Sequence, residues 1–156
     1  MKLTKKLLVL LFGALMLANA ANAESPREQL KQMVGQLQTH PGDNALREQI
    51  IKLAQTIKPA PAIPEEARGP FVEGNTITRS AKSAKEQLLA VESFKEALKI
   101  APWWGDAYYN LAVAQELAEQ LDDSEKSLLH YLLTNPASQD ARQAQDKIYE
   151  IAAKKS

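Results

Sequence analysis

Chemistry in this chain would have to start from few residues. His40 and His130 are the only imidazoles among 156 residues, and there is no cysteine. Neither histidine has an acid at a helical spacing that builds a metal site. His40 precedes a Pro-Gly turn and reads as a surface helix end. His130 falls late in a predicted helix, where the negative end of the helix dipole suits an imidazole. Without cysteine there is no disulfide, no thiolate metal site and no cysteine nucleophile. No glycine-rich phosphate loop, nucleophile elbow or HExxH motif occurs. The acid pairs Glu65-Glu66 and Asp122-Asp123 resemble paired carboxylates for proton transfer. Both stand at helix starts, where the macrodipole favours negative charge, and that role explains them without catalysis. The expectation is a protein with no catalytic residue, no metal and no cofactor.

Recognition chemistry is better represented. Trp103 and Trp104 are adjacent at a predicted turn, so the two indoles cannot both face the same core. In one arrangement one packs beneath the next helix and the other half-covers the junction. In the other, one indole stands on the surface as an interaction anchor, a role in which tryptophan and tyrosine are over-represented. Tyr108, Tyr109 and Asn110 follow directly.

These residues must be positioned by helices. Low aromatic content (6%) and abundant Ala, Leu, Lys, Glu and Gln favour helix throughout. Ser25-Pro26-Arg27-Glu28 is a capping box opening a helix with Leu30, Met33, Val34 and Leu37 on one face. His40-Pro41-Gly42-Asp43 ends it. Asp43 then caps a second helix striped by Leu46, Ile50, Leu53, Ala54 and Ile57. Lys58 to Pro64 (KPAPAIP) is predicted to be extended, either as a hinge or as a spacer packed along the next helix. Residues from Pro64 to about Arg79 predict a third helix, weakened near its start by Pro70. Ser83-Ala84-Lys85-Glu86 opens a fourth, carrying Leu88, Val91, Phe94 and Leu98 and ending near Ala101. Asp122-Asp123-Ser124-Glu125 opens a later helix in the same way. Ser138 caps the last, with Ala141, Ala144, Ile148 and Ile151 inward and Arg142, Gln145, Lys147 and Glu150 outward.

A repeat links these helices. Ala90, Phe94, Ala97 and Pro102 recur 34 positions later as Ser124, Leu128, Tyr131 and Pro136. With helix-turn-helix patterning, this period resembles the tetratricopeptide repeat. Tyr108, Leu111, Ala112 and Gln115 sit on that family's first-helix pattern, and Ser124, Leu128, Tyr131 and Pro136 on its second. Gln115 replaces an aromatic, and Ser124 and Tyr131 replace alanines. The resemblance implies an all-α, right-handed tetratricopeptide-like solenoid with a C-terminal capping helix. Its parts would be a signal peptide (1–23), an N-terminal helix pair with a proline-rich linker (24–63), two repeats (64–136) and the cap (137–156). Two repeats bury little alone, so all seven helices are expected to stack as one solenoid.

Met1 to Ala23 reads as a secretory signal. Lys2, Lys5 and Lys6 precede an apolar run from Leu7 to Leu17, and Ala21-Asn22-Ala23 supplies the cleavage site. No cysteine follows the run, so lipid attachment is excluded. Cleavage after Ala23 removes three lysines and no acid, leaving 16 basic residues against 19 acidic, a net charge near −3. That balance disfavours nucleic acid and anionic membrane as partners. The expected location is a bacterial periplasm.

In the resembling family, first helices line a concave groove. By that analogy Phe71, Asn75 and Thr78 face it from one repeat, and Asp106, Tyr109, Asn110 and Val113 from the next, with Trp103 and Trp104 at its edge. Members that clasp a C-terminal carboxylate use two asparagines with lysine and arginine. Here Asn75 and Asn110 stand at suitable positions, but Phe71 replaces a lysine, so no such clamp is expected. The implied groove is aromatic and nearly neutral, fit for an apolar or extended protein segment. The implied role is a non-catalytic scaffold or adaptor of the bacterial envelope. The alternatives are a small-ligand binder using the aromatic groove and an accessory subunit of an envelope enzyme.

Overall fold

A computed structural model describes residues 24–156. The proposed signal segment, Met1 to Ala23, lies outside the described residues. Within them the chain forms seven helices and no strand: α1 (Pro26–Thr39), α2 (Asn44–Thr56), α3 (Glu65–Ser80), α4 (Ala84–Ile100), α5 (Gly105–Leu117), α6 (Leu121–Leu133) and α7 (Ser138–Lys155). None is long and apolar enough to cross a membrane.

Capping chemistry sets several of the boundaries. The hydroxyls of Ser25 and Ser83 accept the N–H of Glu28 and Glu86, each at 3.2 Å, and Asp43 accepts that of Leu46 at 2.9 Å. In the second box the Glu86 carboxylate reaches back one residue further than expected, to the Lys82 N–H at 2.8 Å. Two expected caps are not made. Helix α6 begins at Leu121, before the Asp122-Asp123 pair, and α7 begins at Ser138 itself; neither has a side-chain cap. Ser124, one turn into α6, is fully buried and donates instead to the Ala112 carbonyl at 2.7 Å. A hydroxyl that can satisfy a backbone acceptor across two helices has no reason to remain in water. Pro70 lies within α3, which nevertheless runs unbroken from Glu65.

Helices α3 to α7 pack each against the next, and α3 also meets α5. The 34-residue correspondence is a correspondence of buried sites. Ala90, Phe94 and Ala97 of α4 and Ser124, Leu128 and Tyr131 of α6 are all inside. The polar substitutions in the pattern are met across the α5–α6 pair: Ser124 by the Ala112 carbonyl, and the buried Gln115 side chain by Ser127, which donates to it at 2.6 Å. Between α3 and α4 the approach is tight at Gly74, where a Cβ would stand 2.8–2.9 Å from the Phe94 ring.

The N-terminal pair does not extend this row as expected. Helix α1 packs on α4 and α2 packs on α6, so the hairpin docks against those two helices rather than stacking before α3. The reason is a second apolar stripe. Ile50, Ala54 and Ile57 of α2 join Leu30 and Leu37 in the hairpin's own core, while Ile51 enters the main core with Phe94, Tyr108 and Leu128. A helix with two buried stripes must be covered twice. Polar ties at the periphery fix the position, from Gln38 to the Lys99 carbonyl at 3.2 Å and from Gln55 to the Leu133 carbonyl.

At the other end α7 buries Ala144, Ile148 and Ile151, as the sequence stripe requires. Lys147, expected on the outer face, instead turns inward to Glu116 of α5 at 2.5 Å, and Lys154 meets the same carboxylate at 2.5 Å. Partial burial pushes the Glu116 carboxyl up. The hydrogen bonds and charges of the two lysines outweigh it and hold the group below its usual range.

Candidate functional site

The residues singled out for recognition lie on α3, on α5 and in the turn before α5. Phe71, Asn75 and Thr78 on α3, and Tyr109, Asn110 and Val113 on α5, are half-buried, while Asp106 is exposed. Trp104, at the N-terminus of α5, lies over Phe71 with ring centroids 4.2 Å apart, and Phe71 meets the buried Phe94 edge-on at 5.8 Å. Tyr109 packs against Tyr131 at 5.2 Å. The aromatics of this face are therefore anchored from below, each with one side on a neighbouring ring. Polar groups are largely turned to the backbone: the Asn110 amide donates to the Asp106 carbonyl at 2.8 Å and Thr78 to that of Gly74 at 2.9 Å. The Asn75 amide has no hydrogen bond among the described residues.

Trp103 belongs elsewhere. Its indole packs against the hairpin core of Leu30, Leu37, Ile50, Ala54 and Ile57, whereas Trp104 joins the main core. The two indoles do face different cores, and neither stands free on the surface. The expected edge of the groove is thus formed by Trp104 alone. The proline-rich segment is packed rather than free: Arg27 donates to the Pro59 carbonyl at 2.7 Å, and Pro61 and Ile63 line a shallow apolar cavity with both indoles.

A second concavity has no counterpart in the sequence reading. Between the hairpin and helices α4, α5 and α6 lies a cleft of about 320 Å³. Arg47 of α2, Lys95 and Lys99 of α4, and Lys126 and His130 of α6 line it, with one acid, Asp123. The His130 ring lies 5.3 Å from that of Tyr108. Burial, and then the positive charge of Arg47, depress the His130 pKa to about 4, against a smaller opposing effect of Glu48. The imidazole is neutral at pH 7 and makes no hydrogen bond among the described residues. Burial also pushes the Tyr108 phenol up, and its hydroxyl donates to the Pro102 carbonyl at 2.8 Å.

A pH dependence of stability follows. His130 titrates lower in the folded protein than its ordinary value of 6.5, so between about 4 and 6.5 the unfolded chain binds more protons. Stability should rise with pH through that window and be lost as pH falls. The His130 contribution is about 1–3 kcal/mol once partial solvent screening is allowed for. Urea midpoints at pH 7.5, 6.0 and 5.0 measure it, and His130→Gln should flatten the profile. A profile of equal slope in wild type and variant would remove His130 as its cause.

Among the described residues no three His, Asp or Glu side chains gather as metal ligands. Compared with known proteins, the chain matches no family model, and no curated protein or solved structure matches it.

Proposed function

We propose that this protein is a non-catalytic, tetratricopeptide-like interaction module, exported to a bacterial periplasm, that holds an extended or apolar segment of an envelope protein along α3 and α5. The observation that carries the reading is that the half-buried aromatics of α3 and α5, Phe71, Trp104 and Tyr109, are each anchored on a neighbouring ring. Rings fixed from beneath lose little rotamer freedom on binding, which is what an anchor residue requires. The sequential antiparallel packing of α3 to α7 and the buried 34-residue pairs support the solenoid part of the reading. Export rests on the lysine-led apolar segment and the Ala21-x-Ala23 site. It requires a mature chain beginning at Glu24, which intact-mass measurement reads directly.

The binding test is capture from an envelope extract on immobilised protein. Tyr109→Ala should weaken the partner by about thirtyfold, the effect of losing an aromatic anchor of about 2 kcal/mol. Lys85→Ala, exposed at the start of α4, should leave capture unchanged. Circular dichroism must first show each variant folded, since Tyr109 also packs on Tyr131. Equal retention by Tyr109→Ala and wild type would place the site off this face.

A further inference from the structure

We infer that the cleft between the helical hairpin and the body is a binding site for a small molecule bearing a phosphate or carboxylate group. It lies apart from the aromatic face and does not depend on the reading given for that face. The argument is the imbalance of its hydrogen-bonding groups. Arg47, Lys95, Lys99 and Lys126 bring four positive charges to the lining against the single negative charge of Asp123. In a chain with equal numbers of acidic and basic residues, cations have gathered at one of the gaps between hairpin and body.

Three of these cations have partners on their own helices. Lys95 pairs with Glu92 at 2.9 Å, Lys126 with Asp123 at 3.1 Å and Lys99 with Glu96. Glu92 and Glu96 do not line the cleft, and such exposed pairs three residues apart are weak enough to exchange for a ligand. Arg47 is different. It is half-buried with no carboxylate in salt-bridge range among the described residues. Its guanidinium is held by the Pro41 carbonyl at 2.7 Å and the Tyr108 hydroxyl at 3.5 Å. Both contacts position the group and neither neutralises it. A guanidinium has five N–H donors, so most remain for a ligand.

The floor of the cleft repeats the pattern. Gln115 is 4% exposed. Its amide oxygen accepts from Ser127 at 2.6 Å, and its amide nitrogen has no hydrogen bond among the described residues. That nitrogen is open to the cleft rather than shut away, so it is free to donate to a ligand there. The neutral, unbonded His130 ring adds a third group of this kind. Every unfilled group here is a donor or can become one, and the ligand that meets them is an oxyanion. The volume sits at the lower end of small-molecule sites. It is too small for a folded partner.

Proton linkage makes the proposal measurable. His130 faces Arg47 and Glu48 from α2, Lys95 and Lys99 from α4, Tyr108 from α5, and Asp123 and Lys126 from its own helix. An anion placed among these cations offsets the positive charge that helps to keep His130 neutral. Binding and protonation of His130 must then favour one another.

The experiment is an NMR titration of His130 in the purified protein. It has arms in inorganic phosphate, in citrate and in sodium chloride at matched ionic strength. In the phosphate or the citrate arm, the His130 midpoint should rise by about one pH unit above that in sodium chloride, a tenfold preference of the ligand for the protonated form. Response to phosphate alone assigns a phosphoryl group, to citrate alone a carboxylate, and to both a general oxyanion site. Arg47→Gln should weaken binding at least about tenfold. Should that variant fail to fold, Lys95→Gln and Lys126→Gln at the rim should each weaken it about threefold. The proposal is overturned if neither anion moves His130 beyond the sodium chloride arm, or if the cation variants bind as wild type does.

Discussion

Phe94→Ala is expected to lower the unfolding free energy by about 3–5 kcal/mol, the usual cost of deleting a fully buried aromatic. Phe94 has no exposed surface and belongs to the main core. It lies under Gly74 on one side and edge-on to Phe71 on another. The cavity would therefore open where α3, α4 and the aromatic face meet, and neighbours held by the close α3–α4 approach have little room to collapse into it. The reciprocal change, Gly74→Ala, puts a methyl group 2.8–2.9 Å from the ring and should cost about 1–3 kcal/mol by overpacking. The two effects are coupled: in a Phe94→Leu background Gly74→Ala should cost much less than in wild type. Urea denaturation of the four proteins closes the double-mutant cycle. Additive costs would show that Gly74 and Phe94 do not share this contact.

The second large effect is expected at Trp103. Trp103→Ala removes the indole that the α4–α5 turn contributes to the hairpin core, and should cost about 3–5 kcal/mol. The loss should be local. The hairpin has its own cluster of buried residues and touches the body mainly through Ile51, Trp103 and a few polar ties. The expected result is release of α1 and α2 while α3 to α7 stay folded, seen as protease cleavage within residues 58–64 and rapid hydrogen exchange confined to 26–57. Trp103→Phe separates packing from hydrogen bonding. The buried indole N–H has no acceptor among the described residues, so its removal costs nothing in bonds there, and the variant should stay much nearer to wild type. Uniform loss of protection across all helices in Trp103→Ala would show instead that hairpin and body unfold as one unit. Release of the hairpin would also open the cationic cleft, although Trp103 lines no part of it, because Arg47 arrives on α2.

The helices themselves were legible from the residues alone. Apolar spacing of three and four, the caps at Ser25, Asp43 and Ser83, and the punctuation at His40-Pro41-Gly42 and Pro136 are local properties, decided within one or two turns of chain. The 34-residue correspondence between α4 and α6 was equally local in its signal, since equivalent buried sites select similar volumes. The aromatic groove was an expectation from the resemblance, with Phe71 and Tyr109 along it and Trp103 and Trp104 at its edge. What the residues did not disclose was where a second buried stripe would go. Ile51 lies beside Ile50 in the sequence, yet the two enter different cores, and only the docking of the hairpin across α4 and α6 separates them. The same docking assigned Trp103 and Trp104 to different sides. Lys147 could be placed only once α7 met Glu116. Arg47 and His130 are 83 residues apart, and nothing in either local pattern requires them to meet. Their shared cleft exists because a helix covered on two faces brings its remaining polar side to the rim of the gap. That arrangement belongs to the packing of helices against one another, and no single helix encodes it.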